Sequence, residues 1–374
     1  MRFCIIGAGS GGRAFAAYLS SKGYSISLYN RSFSRISKIQ EKGGILSKGE
    51  LQGFFPIDLV TQNLKLAIKD ADVILIVIPA FAHKSIAEQV SPYLTEGQIV
   101  ILNPGRTFGS VEFLRTVQKQ RGNIPIIIGE TQTLLFTSRK LSGNGVNIIK
   151  IKNSVNFSTF PDKYTDLIHE VLKEIFPQLV PIDDYLEVTL NNIGMLLHPG
   201  LSLFNAGPID CGKEFKFYKE GATPQICQVL EEIQIELNRI FRILGLKQIR
   251  YDKWAEKSYG IHANSVYDAI QKVDAYKNIN APTELITRYF TEDVPTGLVP
   301  ISSIGDFLGI NTPTIDSIIH LSSIICGINF RKKGRTIKNL QLESYLKERL
   351  YKMRYLGEEY IFEDEISTTK SEDT

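Results

Sequence analysis

The chain has 374 residues, 43% hydrophobic and 22% charged, and its 43 basic against 40 acidic side chains leave a net charge of +3. At roughly 150 residues per domain this is enough apolar material for two cores, which excludes a mostly disordered chain. So small a basic surplus also argues against a dedicated nucleic-acid binder.

The predicted elements begin with a short apolar strand at Arg2–Ile6 and a helix over 13–21 ended by Gly23. A strand over 25–29 and a helix over 32–41 follow, stopping at Gly43-Gly44. Residues 72–78 then read as a buried strand, 81–93 as a helix, 98–102 as a strand, 110–120 as a helix and 124–128 as a strand. This alternation predicts an α/β fold with a parallel, doubly wound sheet covered by helices. After Pro177 and Pro181 the pattern turns to long helical periods, over 184–205, 224–244, 267–275 and 313–326. The reading is a dinucleotide-type domain over 1–180, a mostly α-helical C-terminal domain over 181–362, and a polar, acidic tail over 363–374 without apolar periodicity.

Cys4, Cys211, Cys227 and Cys326 form no C-x-x-C pair, and the histidines show no metal spacing, so neither a disulfide framework nor a metal is expected. The longest apolar run, 73–82, is broken by Pro79 and falls far short of the ~20 residues a membrane span needs. Glycines and Arg13 interrupt the apolar N-terminus, which therefore does not read as a signal peptide. A cytoplasmic protein with no membrane partner is expected.

Gly7-Ala8-Gly9-Ser10-Gly11-Gly12 satisfies G-x-G-x-x-G between a strand and a helix, with a second strand within about thirty residues. Gly7 allows the tight turn, Gly9 lets a pyrophosphate approach the backbone, and Gly12 lets helix and strand pack closely. The helix N-terminus then offers free N–H groups to the phosphates. At the end of the second strand stands Asn30-Arg31-Ser32 in place of an acidic residue. No carboxylate there repels a 2′-phosphate, and Arg31 offers one a fork of donors, so NADP(H) is expected in preference to NAD(H). Pro79, Pro104 and Gly105 end two further strands, where an open α/β sheet meets the nicotinamide half of its cofactor.

Several later segments resemble the octopine/nopaline (opine) dehydrogenases. They are Asn103-Pro104-Gly105-Arg106-Thr107, Gly129-Glu130-Thr131-Gln132-Thr133-Leu134, the run from Asn192 to Pro199, and Leu203-Phe204-Asn205-Ala206-Gly207. Phe217-Tyr218-Lys219-Glu220-Gly221, the run RYFTEDVPTGLVP from Arg288 to Pro300, Pro313-Thr314-Ile315-Asp316 and Gly334-Arg335-Thr336 complete the set. The resemblance implies an NAD(P)H-dependent reductive condensation of an α-keto acid with an amino acid. It maps a catalytic acid/base onto His198, its carboxylate partner onto Asp293 and a substrate-holding cation onto Arg288. Glu130, Thr131, Asn192 and Asn205 are expected to face substrate. The chain departs from the family pattern at Phe108, where a second glycine is common, and at Gly194, where asparagine is common. It departs again at Gln234-Ile235-Glu236-Leu237 in the helix over 225–244.

Three readings compete on the same architecture: the opine-type reductase, a 2-hydroxy-acid or polyol-phosphate dehydrogenase, and an NADP(H) sensor without turnover. The last two would place a lysine where His198 stands, or show no turnover. A homodimer is one assembly open to the chain. The basic run from Arg331 to Arg335 reads as a solvated loop, and the two domains are expected to close over substrate.

Overall fold

The computed structural model describes residues 1–356; the tail expected at 363–374 lies outside them. The N-terminal part is built on an 8-stranded sheet. Its strands, from edge to edge, are Leu179–Pro181, Val155–Phe160, Ile127–Thr131, Ile99–Leu102, Val73–Ile76, Arg2–Ile6, Ser25–Tyr29 and Leu59–Thr61. Neighbours run parallel except where Val155–Phe160 lies antiparallel to Ile127–Thr131. Strand alternation buries both faces: Phe3 and Ile5 enter one core while Cys4 and Ile6 enter the other.

A 4-stranded sheet was not foreseen from the sequence. Its strands are Gly53–Pro56, Gly44–Gly49, Gly145–Ile151 and Phe136–Lys140. It covers the first helix, Ser10–Ser21, with the Phe136 ring edge-on to Phe15 at 4.8 Å. The buried Arg13 side chain crosses this junction and donates to the carbonyls of Ala8, Gly143, Gly145 and Arg35. Among the described residues no carboxylate pairs with it; carbonyl dipoles take the place of a counter-ion.

From Tyr185 onward the described residues are mostly helical. Pro224–Ile243 is the central helix, started by the Thr223 cap with proline in its first turn. Its buried Leu230, Ile233, Leu237, Ile240 and Phe241 recur at helical spacing and carry the second core. Gln234 Oε1 accepts from Tyr251 N, and both oxygens of Glu236 accept from Thr314 N and Ile315 N. The Gln234–Leu237 departure therefore serves packing, with Glu236 at the N-terminus of Pro313–Cys326. The helix expected over 184–205 is two, Tyr185–Leu190 and Ile193–Phe204. Asn191 breaks it by donating its side-chain amide to the Glu187 and Lys247 carbonyls. No helix among the described residues is long and apolar enough to cross a membrane.

The two parts meet along a seam at the turn 103–108. The basic run expected to be solvated ends in a buried arginine. Arg335 is only 3% exposed and donates to the carbonyls of Gly105, Thr107 and Ala80 and to Glu112. His83 Nδ1 also lies against it, and burial, then Arg335, keeps that imidazole far below its usual range and so neutral. Arg331, by contrast, is half-exposed and pairs with Asp316. Arg335→Met should cost about 3–5 kcal/mol, because it strands Glu112 and three carbonyls. Arg331→Met should cost less than about 1 kcal/mol. Urea denaturation of the two variants measures the difference.

Candidate active site between the two domains

A cleft of about 930 Å³ lies between the sheet and the helices. Gly7, Gly9, Ser10 and Gly11 line it, followed by Asn30, Arg31 and Ser32, then Pro79 and Pro104. These expected cofactor residues thus share one wall. Ala8, Gly12 and Gly105 do not reach it. Ala8 is buried, and its N–H donates to Asn30 Oδ1, tying the glycine turn to the end of the second strand. A Cβ on Gly12 would overlap the Gly7 carbonyl, so Gly12 serves helix–strand contact. A Cβ on Gly105 would overlap the Glu130 side chain, so that glycine is required by packing.

The wall fits a dinucleotide. A Cβ on Gly9 would meet nothing within 4 Å, which leaves the turn open to a ligand. The helix Ser10–Ser21 has no side-chain cap and no acidic residue in its first turn, so its N–H groups face the cleft unclaimed. Arg35 and Lys140, which the sequence did not single out, join Arg31 on this side of the lining. Lys140 has its pKa lowered by the charge of Arg13, then by burial and Arg35, which shows how closely the cations gather.

In the helical part, His198, which lines the cleft, has Nδ1 2.7 Å from buried Asp293 Oδ2 and Nε2 3.0 Å from the Tyr218 hydroxyl. The imidazole stacks on Tyr289 at 4.4 Å. Burial alone would push the Asp293 carboxyl up; Arg106, followed by His198, outweighs it and holds the group below the usual carboxylate range. Burial drives the Tyr218 hydroxyl far above its usual value. An ionised Asp293 accepts from Nδ1, which makes it the protonated nitrogen, and the neutral Tyr218 hydroxyl donates to Nε2.

Asp293 opens onto a π-helical turn, Val294–Leu298, of the kind that functional sites often contain. Thr296 O is used across the seam, accepting from Thr107 N, while Pro295 O accepts from Arg335 N within the helical part.

Arg106 is the residue the sequence quoted without giving it a role. It sits 3.3 Å from Asp293 Oδ1 and 3.6 Å from Glu292 Oε1, and donates to Asn192 Oδ1 at 3.2 Å. Arg106 and Phe108 both adopt left-handed backbone conformations, at φ 59° and 60°. This explains why a glycine would suit position 108 and what holds a phenylalanine there instead. The Phe108 ring is fully buried, and its N–H donates to Thr189 Oγ1 at 2.6 Å. Gly194 is accounted for as well, because a Cβ there would overlap the Arg106 guanidinium.

The expected substrate residues fare differently. Arg288 lines the cleft with its side chain 64% exposed, 3.7 Å from Glu292 Oε2. Asn192 reaches the site through Arg106, and its amide donates to Thr107 Oγ1. Glu130 does not face the cleft. It is buried, accepts from Ser110 N at the start of helix Gly109–Arg121 and from the Tyr185 hydroxyl, and is pushed up by burial. It caps that helix. Thr131 is buried beneath the same turn, against Leu102 O. Asn205 ends the helix Ile193–Phe204 and donates to the Leu201 and Gly221 carbonyls. Among the described residues no cluster of His, Cys, Asp and Glu is arranged to hold a metal ion.

Comparison with known proteins gives a match over residues 181–326 to the NAD/NADP octopine/nopaline dehydrogenase alpha-helical domain. Residues 2–121 match the NAD-dependent glycerol-3-phosphate dehydrogenase N-terminus. An opine dehydrogenase from Arthrobacter sp. (strain 1C) is 39% identical over 341 residues, covering 91% of this chain and 95% of its own. The fold matches octopine dehydrogenase solved with NADH and L-arginine, at a TM-score of 0.75 and 17% identity over 94% of this chain and 98% of that one. It also matches yersinopine dehydrogenase with NADP+ bound, at a TM-score of 0.69 and 14% identity over 93% and 98%.

The balance at Asp293 is open to test. Arg106→Met removes the main charge holding that carboxylate ionised, so burial should dominate and the apparent titration should move upward. A shift of about one unit or more is expected for loss of a close counter-charge. Carbon-13 NMR of labelled aspartate reads it, and an unmoved titration would mean that His198 alone sets the carboxylate.

Proposed function

The chain belongs to the opine dehydrogenases, NAD(P)-dependent oxidoreductases acting on CH–NH bonds, and from that premise we propose how its own residues carry the reaction. An α-keto acid condenses with the amino group of an amino acid, water leaves, and the imine is reduced. His198 is the acid/base. It takes a proton from the incoming ammonium group so that the amine can attack the carbonyl; the new nitrogen then passes a proton to the carbonyl oxygen, and His198 returns its own to the resulting hydroxyl, which leaves as water and gives the iminium. One proton moves out and back, and one water is lost. Asp293 fixes the ring with Nδ1 protonated and stabilises the imidazolium while the proton is held. Tyr218 occupies Nε2 until substrate displaces it, so the base is neither exposed to bulk water nor left without a partner. Arg288, exposed at the edge of the cleft, holds one substrate carboxylate through its planar fork. The bound dinucleotide supplies the electrons that reduce the imine carbon. The observation that carries this reading is the 2.7 Å contact that buried Asp293 makes with His198, which lines the same cleft as the glycine turn.

NADP(H) is the preferred cofactor in this proposal. Arg31, Arg35 and Lys140 gather beside the glycine turn, and no acidic side chain stands at the end of the second strand. We place the protein in the reducing cytoplasm, consistent with four free cysteines.

Two measurements test these assignments. His198→Ala and Asp293→Ala should each lower turnover about a hundred- to ten-thousand-fold, with NADPH binding retained. The double variant should be little worse than His198→Ala, because the pair acts as one unit. Near-normal turnover in His198→Ala would sink the assignment. Separately, Arg31→Ala should weaken NADPH binding by about 1.5–3 kcal/mol while NADH binding holds. Equal losses for both cofactors would show that Arg31 does not read the phosphate.

A further inference from the structure

The condensation product is a secondary amine carrying two carboxylates, so the cleft has to receive two anions where Arg288 offers one fork. The other cations of the lining are already engaged or lie elsewhere. Arg106 faces Asp293 and Glu292. Arg31, Arg35 and Lys140 belong to the cofactor side, and Arg139 is engaged with the Ser138 carbonyl. The exception is Lys152, at the end of the strand Gly145–Ile151.

Lys152 lines the cleft yet is only 4% exposed. Its ammonium donates to Thr133 Oγ1 at 3.0 Å and to the Leu134 carbonyl at 2.6 Å, which leaves one of its N–H bonds to spare. It stands 5.6 Å from the centre of the Trp254 ring. Among the described residues no carboxylate lies within ion-pair distance of it. A buried ammonium without a counter-anion is costly, and its pKa shows the cost. Burial, and then the charge of Arg106, push it down to about 7. The other titratable groups facing this end, Tyr259 and Tyr276, are pushed up by burial and stay neutral. Nothing acidic there offsets the lysine.

We propose that Lys152 is the receptor for the second substrate carboxylate, the one Arg288 does not hold, with Trp254 forming the wall beneath it. This rests on the condensation reading above and adds a specificity residue to it. A mere tie between the strand and the 133–134 turn would explain two of its bonds, but not a charged group placed in the cleft lining. Carboxylate binding supplies the missing anion. It also raises the lysine's pKa, so binding takes up a proton wherever the free group is partly neutral. The sign follows: affinity is full below about pH 7 and falls as pH rises above it.

Trp254 is the only tryptophan in the chain, so its fluorescence reports on this site alone. The probe is iminodiacetate, the simplest secondary amine with two carboxylates. It should perturb Trp254 emission in the wild-type protein, with an affinity that weakens between about pH 7 and 9. In Lys152→Met the affinity should fall roughly 10- to 100-fold, the loss of one charge-assisted hydrogen bond, and its pH dependence should flatten. Lys152→Arg, which keeps a charge, should retain most of the binding. NADP+ affinity, measured in parallel, should hold in both variants. Unchanged iminodiacetate binding in Lys152→Met would overturn the proposal. So would an equal loss of NADP+ affinity, which would assign the lysine to the cofactor's pyrophosphate. Should the Met variant fail to fold, a wild-type affinity that stays flat over that pH range overturns it alone. The condensation reading fails separately, if NADPH is not oxidised with any keto acid and amine pair while iminodiacetate still binds.

Discussion

A single buried guanidinium sets the terms for the rest of the site. Glu292 and Asp293 are consecutive carboxylates carried into a largely dry seam, where burial alone would push the Asp293 carboxyl up. Arg106 stands against both of them. It comes from the sheet domain and they come from the helical one, so the contact that keeps Asp293 charged also fixes one domain against the other. Glu292 adds a second tie by accepting from Ala80 N. Arg335 works in the reverse direction, from the helical domain into the turn that carries Arg106. The ionised partner of His198 is thus a consequence of domain packing as much as of local sequence.

That dependence explains an unusual backbone. A turn with two non-glycine residues in left-handed conformations is strained by about 1–2 kcal/mol at each. It persists because its polar groups are satisfied from across the seam: Arg106 O and Phe108 N by Thr189, Gly105 O and Thr107 O by Arg335, and Thr107 N by Thr296 O. The π-helical turn after Asp293 is the other half of the arrangement, since it turns the Thr296 carbonyl toward Thr107. Gly194 then has a steric role. Its missing side chain leaves the space that the guanidinium fills.

The sheet, the glycine turn and the long helices were legible because each is written in local periodicity. Ile5 and Leu28, paired in register, sit in runs that alternate or stay apolar, and Leu230, Ile233 and Leu237 recur at helical spacing. The smaller sheet was not legible. Its strands are short, half-exposed and separated by about ninety residues between Gly49 and Phe136, so its pairing is a tertiary fact. Polar residues were the hardest to read. A sequence cannot tell a buried charge from a solvated one, which is why Arg335 looked like surface and Glu130 looked like a cleft residue. Arg106 and Lys152 gave only the signal of standing near glycine-rich or apolar runs. What buries them is the approach of the other domain.

The same seam limits how the two domains can move. Rigid-body opening at the turn 103–108 would expose Arg106, Glu292 and Asp293 together and break the bonds of Arg335, a cost far above that of rearranging exposed groups. The full domain closure suggested by the sequence therefore has to pivot about this edge and leave it intact. Arg288 is largely exposed beside Glu292, and rings line the cleft next to it: Tyr289 on His198, and Tyr218 on Tyr276. The proposed acid/base pair is thus held in place by the seam before substrate arrives.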